Sequence, residues 1–325
     1  MNDNICQRLG RGFDSLDPLH KQYKKMKKSN LITKIFQNIV KNKDIREFKK
    51  SFLYYLSFRL FRNFFNNYIE INIYDFKIFA SNKKNQTSHG LLKKCDFDDQ
   101  SELNIIKIFS LNKNVFLLDC GCNYGFYSFY TASLSNKNSV IALEASLKTC
   151  DDFNRNLNLN NFKNIQLKNL AVSDIADNNV IFNESNNDWE SSLSHNKFEQ
   201  NRSTKINTTT IDKVLNDYDL KDYFLFIKLD VEGHEFHALT GGIDTIRKYN
   251  PIIIIELSKY IFENSKDSLI FFKKFLIDFG YNIYGTDNNI ISLDNVIKLL
   301  DNLDKDHKTI GNYYLIKNIE KPLNK

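Results

Sequence analysis

Val115 to Glu144, VFLLDCGCNYGFYSFYTASLSNKNSVIALE, constrains the fold more than any other stretch of the chain. The apolar run Val115 to Leu118 reads as a buried strand that stops at Asp119. Gly121 and Gly125 then bracket a tight turn, and glycine lets a backbone approach a ligand closely. Phe126, Phe129, Tyr130 and Leu134 recur at helical spacing, and a second apolar run, Val140 to Leu143, closes on Glu144. The predicted unit is strand, turn, helix, strand. The unsatisfied N–H groups at the helix start face the crevice at the strand ends. An acid closing the second strand can accept both ribose hydroxyls of a nucleoside.

That geometry suits any adenosine ligand, so the glycine spacing has to discriminate. A dinucleotide turn, G-x-G-x-x-G, needs its second glycine where a pyrophosphate lies against the backbone. Here that position is Asn123, which argues against a nicotinamide-dependent dehydrogenase. Asp119-x-Gly121-x-x-x-Gly125 resembles instead the first motif of S-adenosylmethionine-dependent methyltransferases. The plainer alternative is a βαβ unit whose glycines serve only the turn.

The rest of the chain repeats the strand–helix alternation. Ser146 is placed to cap a helix carrying Leu147, Cys150, Phe153 and Leu157 on one face. Ile165 to Leu170 reads as a third strand, and Ala171 to Asp174 as a turn at the same edge. Asn183 to Ser203 is a long polar loop containing the only tryptophan, Trp189, expected either to stack on a sugar over the site or to anchor the loop. Phe224 to Leu229 and Pro251 to Leu257 are further apolar strands, with one helix expected from Phe236 to Lys248 between them. Tyr281 to Thr286 and Tyr313 to Lys317 form a late antiparallel edge. Upstream, Tyr68 to Phe79 alternates as a strand that shifts near Tyr74, predicting a bulge or hairpin. A helix from Cys95 to Ser110, capped by Asp96, leads into Val115. Alternating elements demand a mainly parallel α/β sheet, of seven strands, with helices on both faces. Ligands bind such sheets at the carboxyl strand ends, where Asp119, Glu144, Asp174 and Asp230 all fall.

Charge separates the N-terminal part from this pattern. Between Lys21 and Arg62 thirteen Lys or Arg face only Asp44 and Glu47, a net +11 in a chain of net +6, so the remainder is acidic. Phe48, Phe52, Leu53, Tyr55, Leu56 and Leu60 mark helices inside this block. Residues 1–67 are therefore expected to be a basic, aromatic-rich helical extension, and residues 68–325 the main domain. A basic amphipathic helix can lie on an anionic membrane. It can also pack on the main domain with its Lys and Arg in solvent, and the number of apolar positions favours that packing. No base-stacking or groove-reading motif accompanies the charge, so no nucleic-acid partner is expected. Five unpaired-looking cysteines, no apolar leader in the first thirty residues and no run of membrane-spanning length point to a cytoplasmic protein, peripheral at the inner membrane face if the extension is an anchor.

The motifs together resemble the FkbM family of methyltransferases. They are Asp119-Cys-Gly-Cys-Asn-Tyr-Gly125, Glu144, Ala171-Val-Ser-Asp174, Thr210-Ile-Asp212, Lys228-Leu-Asp-Val-Glu-Gly-His-Glu235 and Pro251-Ile-Ile-Ile-Ile-Glu256. The glycine turn is generic, whereas K-x-D-x-E-G-H-E is the specific element. Cys120, Cys122 and Ala145 depart from the family pattern without removing a carboxylate. The resemblance implies a class I (Rossmann-like) fold, S-adenosylmethionine as cofactor, and O-methylation of a small-molecule or glycan acceptor, often a sugar or secondary-metabolite hydroxyl.

The residue chemistry is consistent with that. Asp119 and the turn Gly121, Asn123, Gly125 are expected at the methionine part of the cofactor, Glu144 at the ribose, and Asp174 at the adenine, with Asp230 also counted among the cofactor-binding residues. An alcohol needs a base as it attacks a methyl group. His234, Asp230 and Glu232 are the catalytic candidates, with His234 favoured as base and Asp230 orienting the acceptor. The bland role for His234 and Glu235 is to start the following helix. Asp230, Glu232 and Glu256 could also gather a divalent cation, but no metal is assigned. A non-catalytic adenosine-binding module is the competing class.

Overall fold

The computed structural model describes residues 31–64, 68–81, 87–184, 202–258, 261–262, 266–302 and 309–317. Trp189 and the segment before Leu31 lie outside the described residues. Backbone contacts divide the chain into two compact units, residues 1–73 with 78–96 and residues 74–77 with 97–325.

The smaller unit contains helix α1 (Leu31–Val40), a short 3-10 turn (Ile45–Phe48), helix α2 (Phe52–Phe64), strand β1 (Tyr68–Ile73), all but the first two residues of strand β2 (Phe76–Ser81), and helix α3 (Ser88–Lys94). Phe36 of α1 stacks on Phe61 of α2 at 5.1 Å and tilts against Tyr54 at 5.3 Å, and the Tyr54 hydroxyl donates to the Leu92 carbonyl at 2.7 Å. Ile69, Ile71 and Ile73 are buried while their neighbours are not, as the alternation requires. The shift at Tyr74 is a reversal: Tyr74 takes φ +50° between β1 and β2.

The larger unit runs α4 (Gln100–Ser110), β3 (Asn114–Cys120), α5 (Phe126–Leu134), β4 (Ser139–Leu143), α6 (Leu147–Leu157), β5 (Ile165–Lys168), β6 (Ala171–Val172), β7 (Val180–Glu184), β8 (Arg202–Ile206), β9 (Thr208–Thr209), α7 (Ile211–Leu215) and β10 (Tyr223–Leu229). It continues with α8 (Glu235–Thr240), α9 (Ile243–Tyr249), β11 (Ile252–Ser258), α10 (Lys266–Phe279), β12 (Tyr281–Tyr284), β13 (Ile290–Ile291), α11 (Leu293–Asp301) and β14 (Thr309–Lys317). The main sheet has the order β13-β12-β14-β11-β10-β3-β4-β5. The five strands from β11 to β5 are parallel, and β14 and β12 add the antiparallel edge. This is the class I sheet, with eight strands among the described residues instead of seven because the two-residue β13 joins its edge.

The period of two along the strands sorts side chains to two helical layers. Phe116, Leu118, Ile227, Leu229, Ile253 and Ile255 share one core with Phe236, Ile246 and Phe272 of α8, α9 and α10. Phe224 and Phe226 point the other way, edge-on to Phe109 of α4 at 4.8 and 5.5 Å. Strands buried on both faces read as continuous apolar runs, which is why β3, β10 and β11 are legible without alternation.

Four local expectations are corrected. The helix before β3 starts at Gln100, after Asp99; Cys95 ends α3 in a left-handed conformation (φ 52°), and Asp96 pairs with Lys49 at 2.9 Å instead of capping. The segment 236–248 is two helices broken at Gly241-Gly242, and Gly241 is required there, since a side chain would stand 2.2 Å from the Ser173 carbonyl oxygen. Ala171-Val172 is not only a turn but pairs in parallel with Thr208-Thr209. The described ends of the 183–203 loop are strand, with Asn183 opposite Ser203 and Glu184 opposite Arg202.

Candidate functional site

β3 and β10 are neighbours, and the chain order reverses between them: β4 and β5 continue on one side, β11 on the other. Such a switch point opens a crevice at the carboxyl strand ends. The turn after β3 is pinned there. Gly121 and Cys122 donate their N–H groups to the Leu143 carbonyl at 2.9 and 3.1 Å, and Asp230 N–H donates to the Cys120 carbonyl at 3.2 Å. Gly121, Asn123 and Gly125 all have positive φ, at 76°, 51° and 96°. A Cβ on Gly121 would sit 1.9 Å from the Asp230 carbonyl oxygen, and one on Gly125 would sit 2.6 Å from the Phe129 and Phe153 rings. The protein's own packing therefore demands both glycines.

Glu144 lies one residue beyond β4. Its Oε2 accepts the Asn123 N–H at 3.0 Å and its Oε1 the Ser146 N–H at 2.9 Å, so it ties the glycine turn to the start of α6. Ser146 caps that helix as expected, accepting from Thr149 N–H. Asn169 donates to the Glu144 carbonyl at 2.8 Å and fixes the same corner. Burial pushes the Glu144 carboxyl up to about 7, against the pull of the backbone N–H groups of Ser146, Asn123 and Ala145.

Asp119 and Lys228 are register partners on β3 and β10, on the same sheet face as Phe226. Asp119 is 1% exposed; Ser128 of α5 donates to its Oδ2 at 2.6 Å, and its Oδ1 is buried without a hydrogen-bond partner. Lys228 is 3% exposed, and its Nζ bonds Asp230 Oδ2 at 2.6 Å and lies 4.7 Å from the centre of the Tyr127 ring. The Tyr127 hydroxyl donates to Asp99 at 2.7 Å. Burial would drive the ammonium to lose its proton, but the Asp230, Asp119 and Asp99 carboxylates outweigh it and hold the lysine pKa above its ordinary value. One buried cation thus serves three carboxylates, and Asp230, with a side chain 35% exposed, is the end that reaches solvent.

The remaining acids and histidines fall into two groups. Oxygens of Asp230, Glu232 and Glu256 lie within 4.8 Å of one another at the ends of β10 and β11. Glu232 takes φ 54°, a left-handed conformation uncommon for a residue with a side chain. Three carboxylates are a donor set for a hard divalent cation, although Lys228 already offsets Asp230. His234, favoured from the sequence as base beside Asp230, is grouped instead with Asp174 and His237. Its Nε2 is 2.9 Å from Ser173 Oγ, which also donates to Asp174 Oδ1 at 2.9 Å. A hydroxyl has one proton; given to Asp174, it leaves Nε2 of His234 as the donor and Nδ1 as the basic nitrogen. The His234 and His237 rings stack at 4.3 Å and 13°, so their in-plane lone pairs cannot converge on one ion in this arrangement. Burial, helped by His237, lowers the His234 pKa to about 4. For Asp174, burial is outweighed by the Ser173 hydroxyl and His237, and its pKa falls below the usual value. Glu235 is buried and accepts the N–H groups of Val231 and Gly233 at 3.0 and 3.3 Å, holding the loop at the start of α8. Burial raises it to about 7.

Ser173 and Lys228 stand inside motifs legible in the sequence, yet nothing local marks them as partners of His234 and Asp230. Asp99, Tyr127 and Ser128 carry no sequence signal at all; they matter only because α4 and α5 cover that sheet face.

Residues 119–283, half of the chain, match the family model described as the methyltransferase FkbM domain. Among solved structures, a methyltransferase FkbM from Methylobacillus flagellatus KT is 16% identical, with 62% of this chain and 43% of that one covered and a TM-score of 0.37. A putative caffeoyl-CoA O-methyltransferase from Staphylococcus aureus is 16% identical over 68% of this chain and 85% of that one, TM-score 0.38. A putative methyltransferase from Streptococcus mutans, in complex with SAH, is 12% identical over 66% and 96%, TM-score 0.36. The chain thus spans under half the length of the Methylobacillus protein. No curated protein matches it.

Proposed function

The chain belongs to the FkbM methyltransferase family, whose chemistry is S-adenosylmethionine-dependent methyl transfer, and we propose that it methylates a hydroxyl of a sugar or glycan precursor. The observation that carries the cofactor part is the buried corner where Glu144 meets the glycine turn at the switch point. The residues fit the cofactor. The orphaned Asp119 Oδ1 is an unmet buried acceptor suited to a cationic group, and the position of Glu144, one residue beyond β4 at the switch point, supports a ribose contact through the lone pairs its two N–H bonds leave over. We assign Asp119 and residues 121–125 to the methionine part, Glu144 to the ribose and Asp174 to the adenine side.

When bound, S-adenosylmethionine supplies a methyl group on a sulfonium. Asp230, neutralised on one oxygen by Lys228, presents its solvent-facing side to the acceptor. We assign it, with Glu232, to binding the acceptor hydroxyl and taking its proton. His234 remains neutral at neutral pH, and we assign it, on its bond to Ser173, to holding Asp174 in place. Positioning of acceptor oxygen against methyl supplies much of the acceleration in such a transfer. Acidic groups at the mouth and a hydroxyl-rich acceptor are compatible, because sugar hydroxyls donate to carboxylates.

Two measurements test this reading. Titration calorimetry with S-adenosylhomocysteine should show saturable binding to the wild type. Glu144→Ala should weaken it by about 30- to 150-fold, the loss of about 2–3 kcal/mol of charge-assisted hydrogen bonding. No binding by folded protein would refute the cofactor assignment, whereas binding without methyl transfer to any acceptor would leave a non-catalytic adenosine-binding module. Transfer of labelled methyl from S-adenosylmethionine to a panel of sugars and sugar-containing precursors should place label on sugar hydroxyls. Label only on lipid or other non-sugar hydroxyls would refute the acceptor class.

A further inference from the structure

Helix α2 is apolar on two opposite faces, and only one of them is used. Tyr54, Phe58 and Phe61 are buried against Phe36 of α1. The other side carries Phe52 at 76% exposure and Leu53 at 70%, followed by exposed Leu56 and Leu60. At 100° per residue these four fall within one 100° sector, a continuous ridge along the helix. Arg59 borders the ridge, and Lys34, Lys41, Lys43 and Lys50 are exposed on the neighbouring segments of the same unit. Over residues 31–64 eight Lys or Arg face only Asp44 and Glu47, and Asp44 is already bonded to Arg46.

A large exposed apolar patch marks an interaction surface, since single exposed apolar residues are ordinary but a contiguous ridge of them is not. We propose that this ridge is a docking surface for an anionic lipid bilayer, entered by Phe52, Leu53, Leu56 and Leu60 with the lysines at headgroup level. Charge complementarity selects the occupant: Arg59 borders the ridge, and the segment that carries it, residues 31–64, has eight Lys or Arg against two acids. Its shape agrees, because one convex helix face suits a fluid surface that closes around it. No helix among the described residues is long and apolar enough to cross a membrane, so the contact is peripheral. Apolar insertion and basic attraction are the two signals that together give stable surface binding. The proposal is independent of the active-site assignments.

The test is co-sedimentation of the full chain with phosphatidylcholine vesicles, with and without about one-third phosphatidylglycerol. Wild type should pellet with the anionic vesicles only, and less at high salt. Leu53→Glu/Leu56→Glu should reduce this at least about tenfold, with an unchanged melting temperature and unchanged S-adenosylhomocysteine affinity, since both residues are exposed. Equal pelleting of variant and wild type, no pelleting of wild type, or equal pelleting with neutral vesicles would each overturn the proposal. An environment-sensitive dye on Leu56→Cys, in a Cys6→Ser background, should shift to the blue on adding anionic vesicles. A dye already buried without lipid would assign the ridge to residues 1–30 or to a second copy, and would equally overturn it. Sedimentation velocity separates those two occupants.

Discussion

Glu144 and Glu235 are two buried carboxylates doing the same local work, accepting backbone N–H groups to close a loop, and both are raised by burial to about 7. The sign of the consequence follows from linkage. Between about pH 4.5 and 7 the folded chain holds a proton on Glu235 that the unfolded chain has released. Stability contributed by this group therefore falls as pH rises through that window. A shift of that size is about 3 kcal/mol. Glu235→Gln, which cannot ionise, should gain stability relative to wild type from pH 5 to pH 8, by up to that amount. Urea unfolding at the two pH values measures it, and a pH-independent difference would contradict the burial argument. For Glu144 the readout is affinity. If ribose hydroxyls donate to the carboxylate, binding favours the ionised form, so S-adenosylhomocysteine should bind up to about tenfold tighter at pH 8 than at pH 6. Glu144→Gln should bind weakly with that pH dependence gone. Loss of Lys228 should be costly to the fold. Lys228→Met leaves Asp119, Asp99 and Asp230 without their cation, and breaking a buried pair of this kind costs about 3–5 kcal/mol. A melting temperature unchanged by the substitution would remove Lys228 from the role described.

At the scale of elements, the glycine turn and the broken helix obey one rule: backbone from one element occupies the place where another would have a side chain. Gly121 and Gly280 both have positive φ, 76° and 68°. Only Gly121 faces another backbone, the Asp230 carbonyl, while nothing lies within 4 Å of the Cβ position at Gly280. Alanine at Gly280 should therefore cost only the conformational term, about 1–2 kcal/mol. Alanine at Gly121 must in addition push apart the ends of β3 and β10. It should destabilise by more than about 3 kcal/mol and abolish cofactor binding. Equal costs at the two sites would mean the crevice can widen freely. The same rule holds at the junction of α8 and α9: Gly241 lies against the Ser173 carbonyl, where no side chain fits.

Across the whole molecule, Cys95 sits in the smaller unit and Cys120, Cys122 and Cys150 in the larger one, all buried as free thiols. Burial raises the thiol pKa of Cys95 to about 11 and of Cys150 to about 12. All four should be unreactive to thiol reagents in the native protein at neutral pH, because the thiolate is the reactive form. In rising urea Cys120, Cys122 and Cys150 should become reactive together, since β3, the turn and α6 pack in one body. Mass-spectrometric pulse labelling measures this. Labelling of Cys150 well before Cys120 would show α6 leaving the sheet independently.

The chain by itself determined the class I unit, because strand runs, helical spacing and turn glycines are local signals read within about thirty residues. It also placed Asp119, Glu144 and Asp230 at strand ends, since each directly ends an apolar run. It could not determine which of these groups meet. Asp119 and Lys228 are joined by parallel strand register across more than a hundred residues of sequence, and Ser173 reaches His234 across 61. Asp99 and Tyr127 enter only through the layer of helices over that face. Nor could hydrophobicity along α2 say which of its two apolar faces is covered. Burial belongs to the elements that pack together, and only the tertiary structure shows that one face holds Phe36 while Phe52 and Leu53 remain in solvent.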